Sequence, residues 1–373
     1  MAKNGFQIID SDMHVMEPTD LWERYMSPEY KARAPKSVPR HRGDLVMQVE
    51  GREMAAEAQW EIELAEDPEW LDSYADGLAN GWDGPSQRRA MDSEGLDLAV
   101  LYPSRGLYAL AVDGMDPGLG SAIAVAYNDW LYDFCATDRG RMLGAGMVSP
   151  FDVGSAVKEA RRSVGMLGFK AVFMRPNVVN GINWYDARYD PLWAEIEELD
   201  VPLGFHEGSD AGVPQTGDRF LDDSWLMHHT CTHPMEMMLA VVSMVGGGVL
   251  ARHPRLRVGF LEGNCSWAPW MLWRLDEHYE LVGRHESPEL AQEPTEYFKR
   301  QCWVSVEADE EPARSIEGSG LDGNVVFSTD YPHKDSKFPK AVEAFLGCGF
   351  SEEMKRKILW DNCMRMYGFG GSR

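Results

Sequence analysis

The chain has 373 residues, 44 % of them hydrophobic and 26 % charged, and its 60 acidic against 36 basic side chains give a net charge of −24. That length supports a large core, either as one α/β barrel or as two domains. The acidic balance argues against a nucleic-acid coat protein or a peripheral protein on an anionic membrane, since both need a positive field. It leaves room for one anionic substrate held by a few local arginines.

The opening residues, MAKNGFQIIDSDMH, lack the apolar core of a signal peptide. The longest apolar stretch, 235–250, is interrupted by Glu236 and weakened by glycines at 246–248. It is too short for a membrane span and is expected as a buried helix. Six cysteines (Cys135, Cys231, Cys265, Cys302, Cys348 and Cys363) form no CxxC pair. A reduced cytoplasmic compartment fits them better than a disulfide framework.

Apolar runs of strand length recur along the chain, most followed by an amphipathic segment of helix length. The first is 5–15 (GFQIIDSDMHV). The second, 96–104 (LDLAVLYPS), precedes a helix over 120–137, and the third, 142–150 (MLGAGMVSP), one over 152–164. The fourth, 168–177 (GFKAVFMRPN), leads to a helix over 191–199; the fifth, 201–208 (VPLGFHEG), to one over 234–250; the sixth, 257–264 (RVGFLEGN), to one over 267–281. The seventh is 302–310 (CWVSVEADE) and the eighth 324–333 (NVVFSTDYPH), with two helical stretches closing the chain.

Eight strands alternating with helices predict a single parallel (β/α)8 barrel over 1–373. An open doubly wound sheet is the alternative, but no GxGxxG follows any strand. The interval 16–92 breaks the rhythm. It carries mixed charge and Trp22, Trp60, Trp70 and Trp82, and is expected as an insertion over the C-terminal face of the barrel, where lids are built.

Metal-competent side chains cluster at the ends of these strands: Asp12 and His14 on the first, His206 on the fifth, Glu262 on the sixth and Asp330 on the eighth. Asp12 and His14 are two apart, so strand geometry turns them the same way, and a carboxylate with an imidazole can chelate one cation. A lone Asp-x-His is more often a satisfied core pair; the set of five at matching strand ends points to a metal. Glu207 should point away from His206 by strand alternation, and Glu17, Glu307 and Glu310 are weaker candidates. His229 and His233, in HTCTHP, either bring a second metal to the site or lie outside it, with His233 capping a helix opened by Pro234. Arg105 and Arg175 follow strand ends and either grip an anionic substrate or form structural ion pairs. The 21 Met and 13 Trp residues suit an apolar pocket lining or ordinary core packing.

The segments IIDSDMHVMEPTDLW, HTCTHP, LRVGFLEGNCSWAPWMLWRLDEHYE and VVFSTDYPH resemble the second amidohydrolase family, the metal-dependent barrels that include the aminocarboxymuconate-semialdehyde and resorcylate decarboxylases. The likeness runs from about Phe6 to Tyr367. It implies an amidohydrolase-type barrel in which Asp12 and His14 stand at the paired first-strand ligands, His206 at the fifth-strand ligand and Asp330 at the eighth-strand aspartate. Two departures accompany it. The decarboxylases carry a catalytic histidine at the end of strand six, where this chain has Glu262. The bridged dizinc enzymes carry a carboxylated lysine at the end of strand four, where this chain has Arg175.

The resulting carboxylate-rich set resembles a divergent branch, the non-haem diiron monooxygenase of platensimycin and platencin biosynthesis. That likeness implies two Fe ions, dioxygen and a large apolar, CoA-linked substrate, with Glu262 and Asp330 catalytic. The alternative is a mononuclear Zn or Mn decarboxylase or hydrolase, in which Glu262, its pKa raised by burial, is the proton donor. A non-enzymatic binding barrel would need no convergent ligands. The family likeness also implies pairing into a homodimer, and nothing suggests a nucleic-acid or membrane partner.

Overall fold

The eight expected barrel strands are present and all parallel in the computed structural model, which describes residues 3–39, 45–54, 63 and 66–370. β1 (Ile9–Val15) comes first; β2 (Lys36–Pro39), β3 (Leu45–Val49) and β4 (Arg52–Met54) then form a separate antiparallel sheet. The barrel continues with β5 (Leu98–Pro103), β6 (Met142–Met147), β7 (Ala171–Met174), β8 (Pro202–His206), β9 (Arg257–Leu261), β10 (Cys302–Val306) and β11 (Val325–Phe327). Each pairs with the next, and β1 pairs with β5. The circuit is completed by hydrogen bonds from the region of β1 to that of β11. The His14 N–H donates to the Tyr331 carbonyl at 2.7 Å, Ser11 Oγ to Phe327 at 2.6 Å and Ser328 Oγ to the Asp12 carbonyl at 3.1 Å. The fold is a (β/α)8 barrel.

Apart from β1, which carries Asp10, Ser11, Asp12 and His14, the barrel strands read as mostly apolar runs because both faces are buried, by side chains inside the barrel and by helices outside. Helix ends follow local chemistry. Asp116 caps Pro117–Cys135 by accepting the Leu119 N–H, and Asp152 caps Val153–Gly165 through Ser155. Gly84–Glu94 starts at an Asp83 cap and ends at Gly95, whose φ of 79° suits glycine, and it delivers the chain into β5. Most Met and Trp side chains pack the core, as Met13, Met91, Met237, Trp184 and Trp193 do.

One helix departs from expectation. The segment predicted over 234–250 begins at Trp225, where Ser224 caps it by accepting the Met227 N–H, and Pro234 lies inside Trp225–Val241. The Ser224 cap outweighs the proline as a start signal, and no breaker separates it from Pro234. The glycine run then ends the helix: Gly248 adopts φ 76° before a short separate turn, Val249–Arg252. His233 therefore caps nothing. Trp60 lies outside the described residues. All six cysteines are free thiols, and no helix among the described residues is long and apolar enough to cross a membrane.

Candidate metal centre

Five of the strand-end residues converge at the C-terminal mouth of the barrel. His206 Nε2 lies 3.2 Å from Asp12 Oδ1 and 2.9 Å from Glu262 Oε2. His14 Nε2 lies 3.4 Å from Asp330 Oδ1, 3.6 Å from Glu262 Oε2 and 3.8 Å from Asp12 Oδ1. A sixth residue joins them: His333 Nδ1 stands 2.7 Å from Asp330 Oδ1, and its ring stacks on His14 at 3.9 Å.

The two strand histidines are oriented from behind. His14 Nδ1 is bonded to the Pro103 carbonyl and His206 Nδ1 to the Glu207 carbonyl, both at 2.8 Å. A carbonyl only accepts, so Nδ1 carries the proton in each ring and Nε2 is left as the atom facing the centre. Both Nε2 atoms are buried without a hydrogen-bond partner, as are both oxygens of Asp12, Glu262 Oε2 and Asp330 Oδ1. Buried polar atoms are normally satisfied, and six orphans aimed at one region fit a cation as their missing partner. Two ligand groupings are possible within one small volume: Asp12, His14 and His206, or His14, Glu262, Asp330 and His333.

The backbone is bent to aim the last two carboxylates. Glu262 (φ 49°) and Asp330 (φ 56°) both occupy the left-handed region, which costs a non-glycine residue on the order of 1 kcal/mol. Their N–H groups are held by Ser305 Oγ at 2.8 Å and Ser328 Oγ at 3.1 Å.

Electrostatics separate the groups. Burial disfavours charge on His206, but Asp12 and Glu262 outweigh it and hold its pKa well above the ordinary value. Burial, with His333 and His206 nearby, pushes His14 well below it. Burial lifts Asp330 well above the carboxylate range, reinforced by the charge of Glu262. Glu262 behaves oppositely. Burial opposes its ionisation, yet His233 and His206 override this and hold its pKa well below the ordinary value. The expected Glu262 proton donor is thereby corrected: the group is an anion bracketed by imidazoles.

Other candidates are distributed differently. His233 Nδ1 reaches Glu262 Oε1 at 3.1 Å, while its Nε2 is buried without a partner. His229 stacks between Trp225, at 4.1 Å, and His233, at 4.6 Å. Neither belongs to the two ligand groupings. Arg105 lines the cleft, but Arg175 is turned into its wall. The Arg175 guanidinium bonds Asn177, the carbonyls of Leu107 and Gly208, and Glu207 at 2.9 Å, leaving little for a substrate. Glu207 does point away from the metal-competent atoms, towards Arg175 and Gln215. Glu17 accepts the N–H groups of Arg105 and Gly106, and Glu310 those of Cys265 and Ser266. Glu307 is half-buried with a shielded, unpartnered Oε1, its pKa raised well above the ordinary value by desolvation and by Glu262.

Above the centre opens a cleft of about 100 Å³ whose wall includes Met16, Trp70, Trp82, Arg105, Trp225 and His333. The sequence alone does not single out His333 or Trp225. The proximity of His333 to Asp330 within TDYPH was the available signal.

Residues 9–369 match the family model described as Amidohydrolase. The gamma-resorcylate decarboxylase of Rhizobium sp. (strain MTP-10005) is 26 % identical over 299 residues, spanning 76 % of this chain and 86 % of that protein. Among solved structures, the amidohydrolase map2389c of Mycobacterium avium subsp. paratuberculosis K-10 superposes with a TM-score of 0.78 at 22 % identity, covering 98 % of this chain and 100 % of that one. The 5-carboxyvanillate decarboxylase of Novosphingobium aromaticivorans DSM 12444, complexed with manganese and 4-hydroxy-3-methoxy-5-nitrobenzoic acid, gives 0.70 at 19 % identity, covering 99 % and 97 %. Two of these three are named as decarboxylases and none as an oxygenase.

Proposed function

The chain belongs to the amidohydrolase family, and from that premise we propose that it is a decarboxylase of a small unsaturated or aromatic carboxylic acid, dependent on one divalent cation. The observation that carries this is the set of orphaned ligand atoms of Asp12, His14, His206 and Asp330, two of them imidazole nitrogens with their tautomers fixed from behind. Decarboxylase relatives, one a manganese complex, support this chemistry over the diiron oxygenase. Manganese or zinc is the expected metal. When bound, it supplies Lewis-acid polarisation of the substrate oxygens.

The chain's own groups do the rest. Asp12, His14, His206 and Asp330 would hold the cation, with Glu262 and His333 beside it. Arg105, at the cleft wall, engages the substrate carboxylate or a neighbouring oxygen. Trp70, Trp82 and Trp225 exclude water around the reacting carbon, and the contribution of Met16, Trp70 and Trp82 supports a lid role for 16–92. As the bond to the carboxylate breaks, its electron pair stays on carbon and must take up a proton. His233 replaces the histidine that the family decarboxylases carry on strand six. Glu262 holds its Nδ1, and the otherwise unpartnered Nε2 delivers the proton.

One observation favours a second reading: the ligand atoms divide into two groups that share His14. It corresponds to the diiron monooxygenase, with two Fe ions, dioxygen and an acyl-CoA substrate. Metal analysis and a carbon dioxide assay on dihydroxybenzoates and carboxyvanillate, in air and under argon, separate the two. One manganese or zinc per chain with equal release in both atmospheres is expected. Two irons with dioxygen uptake would overturn the proposal.

A further inference from the structure

We propose that the groove between the helices Trp225–Val241 and Ala268–His278 is a binding site for a linear diamine or polyamine, separate from the substrate cleft. The groove has a volume of about 820 Å³, within the range of small-molecule sites, and shares no lining residue with the cleft above the metal centre. Its charge is one-sided: Glu236, Glu286 and Glu289 line it, and no lysine or arginine does. The acids lie at two depths. Glu236 is 5 % exposed, whereas Glu286 and Glu289 are on the surface, as is Glu280 beside them. Among the described residues no basic side chain pairs with any of the four. Arg274, on the neighbouring helix, pairs with Glu277 instead at 2.9 Å.

Unpaired acids are ordinary on a chain of −24, and alone they would not mark a site. Two other features do. Ser243 is 7 % exposed and lines the groove, and its Oγ is buried without a hydrogen-bond partner. It follows Glu236 by seven residues, two helical turns along the same face. A buried hydroxyl is normally satisfied, and an ammonium N–H entering beside Glu236 supplies what Ser243 lacks. The second feature is the backbone. Two π-helical turns, Val242–Gly246 and Tyr279–Gly283, border the groove from its two sides. Such turns are rare and concentrate at functional sites.

Carboxylates at two depths together with an apolar wall identify the occupant. Leu239, Leu275, Val282 and Leu290 form that wall, with Tyr185 and Tyr279 offering aromatic rings to a cation. One ammonium group pairs with Glu236 and donates to Ser243 Oγ, the methylene chain lies along the leucines, and a second ammonium pairs with Glu286 and Glu289. A bare metal ion would leave the apolar wall unused, and a monoamine would leave one level of acids unpaired. A basic peptide would press backbone polar groups against the leucines.

Isothermal titration calorimetry on the metal-loaded full chain tests this, with spermidine and 1,5-diaminopentane as probes and about 0.15 M salt to screen diffuse attraction. One site per chain is expected, with pentylamine binding about tenfold more weakly than 1,5-diaminopentane. Ser243→Ala should weaken spermidine about tenfold, the worth of a hydrogen bond to a charged group. Glu286→Gln/Glu289→Gln, at exposed positions, should weaken it about three- to tenfold. Glu23→Gln/Glu29→Gln removes the same charge from exposed positions elsewhere and should leave the affinity unchanged. No binding below about 1 mM would overturn the proposal. So would equal losses in the two glutamine pairs, pentylamine binding as well as the diamine, or a trilysine peptide binding more tightly than spermidine. None of these readings uses the carbon dioxide assay, so the activity proposal stands or falls separately.

Discussion

Two regions of the molecule bury carboxylates, and they neutralise them differently. At the barrel mouth Asp12, Glu262 and Asp330 turn oxygens onto imidazoles and find no hydrogen-bond donor for several of them. Elsewhere Glu17, Glu94 at the end of its helix and Glu310 are also buried, yet each accepts at least two backbone N–H groups: those of Arg105 and Gly106, of Ala341 and Val342, and of Cys265, Ser266 and Glu307. The loop acids are tethers that fix where strands hand over to helices. The mouth acids lack such partners, the pattern expected of groups that ligate a cation. Burial alone does not mark a functional carboxylate; the identity of its partners does.

The largest effect should come from the mouth. Asp330→Asn or His206→Ala should lower metal affinity at least about 100-fold, since even groups that merely support a ligand are worth 10–100-fold. Metal content after dialysis reads this, and full retention in both variants would erase the contrast with the loop acids. Next comes His233→Gln, which should keep the metal while cutting kcat about 100- to 10,000-fold, the usual worth of a proton donor. An unchanged kcat would return the proton to another group. Smaller again, Glu310→Ala strands the N–H donors of Cys265, Ser266 and Glu307 and should cost about 2–5 kcal/mol in urea unfolding, with metal content unaltered. Metal loss there would show that the two regions are one.

How much of this the chain discloses depends on reach. The barrel strands are legible because each is an apolar run, and Asp12, His14, His206, Glu262 and Asp330 stand out because a charged group interrupts or ends such a run. What escapes is anything set by a partner distant in sequence. Arg175 looks like an anion grip until Glu207, from the next strand, takes its guanidinium. His233 resembles a helix cap until the helix proves to start at Ser224 and to turn the ring onto Glu262. His333 sits in plain view three residues after Asp330, but only the return of the chain against His14 and Ser104 assigns it to the site. The interval 16–92 lacks periodicity because its short elements pack on each other and on the barrel at once, as Tyr74 does on Trp70 and Trp82 and on Tyr331 and Phe338.

The finest test of the contrast asks whether two N–H donors suffice to keep a buried carboxylate ionised. At Glu17 they do not: burial outweighs the hydrogen bonds from Gly106 and Arg105 and raises its pKa from 4.5 to about 7. The sign follows from proton counts. Between pH 4.5 and about 7 the folded chain keeps the Glu17 proton that the unfolded chain releases, so this group favours folding at the acid end and loses that contribution as pH rises. Glu17→Gln removes the titration, so wild-type stability relative to the variant should fall by at most about 1.4 kcal/mol per pH unit across this window and level off above it. Urea unfolding of both proteins at a series of pH values gives that difference directly. A flat difference would mean that N–H pairs alone hold a buried acid ionised in this fold. The loop acids would then be charged without help from any cation or imidazole, and the mouth would be distinguished by its orphaned oxygens alone.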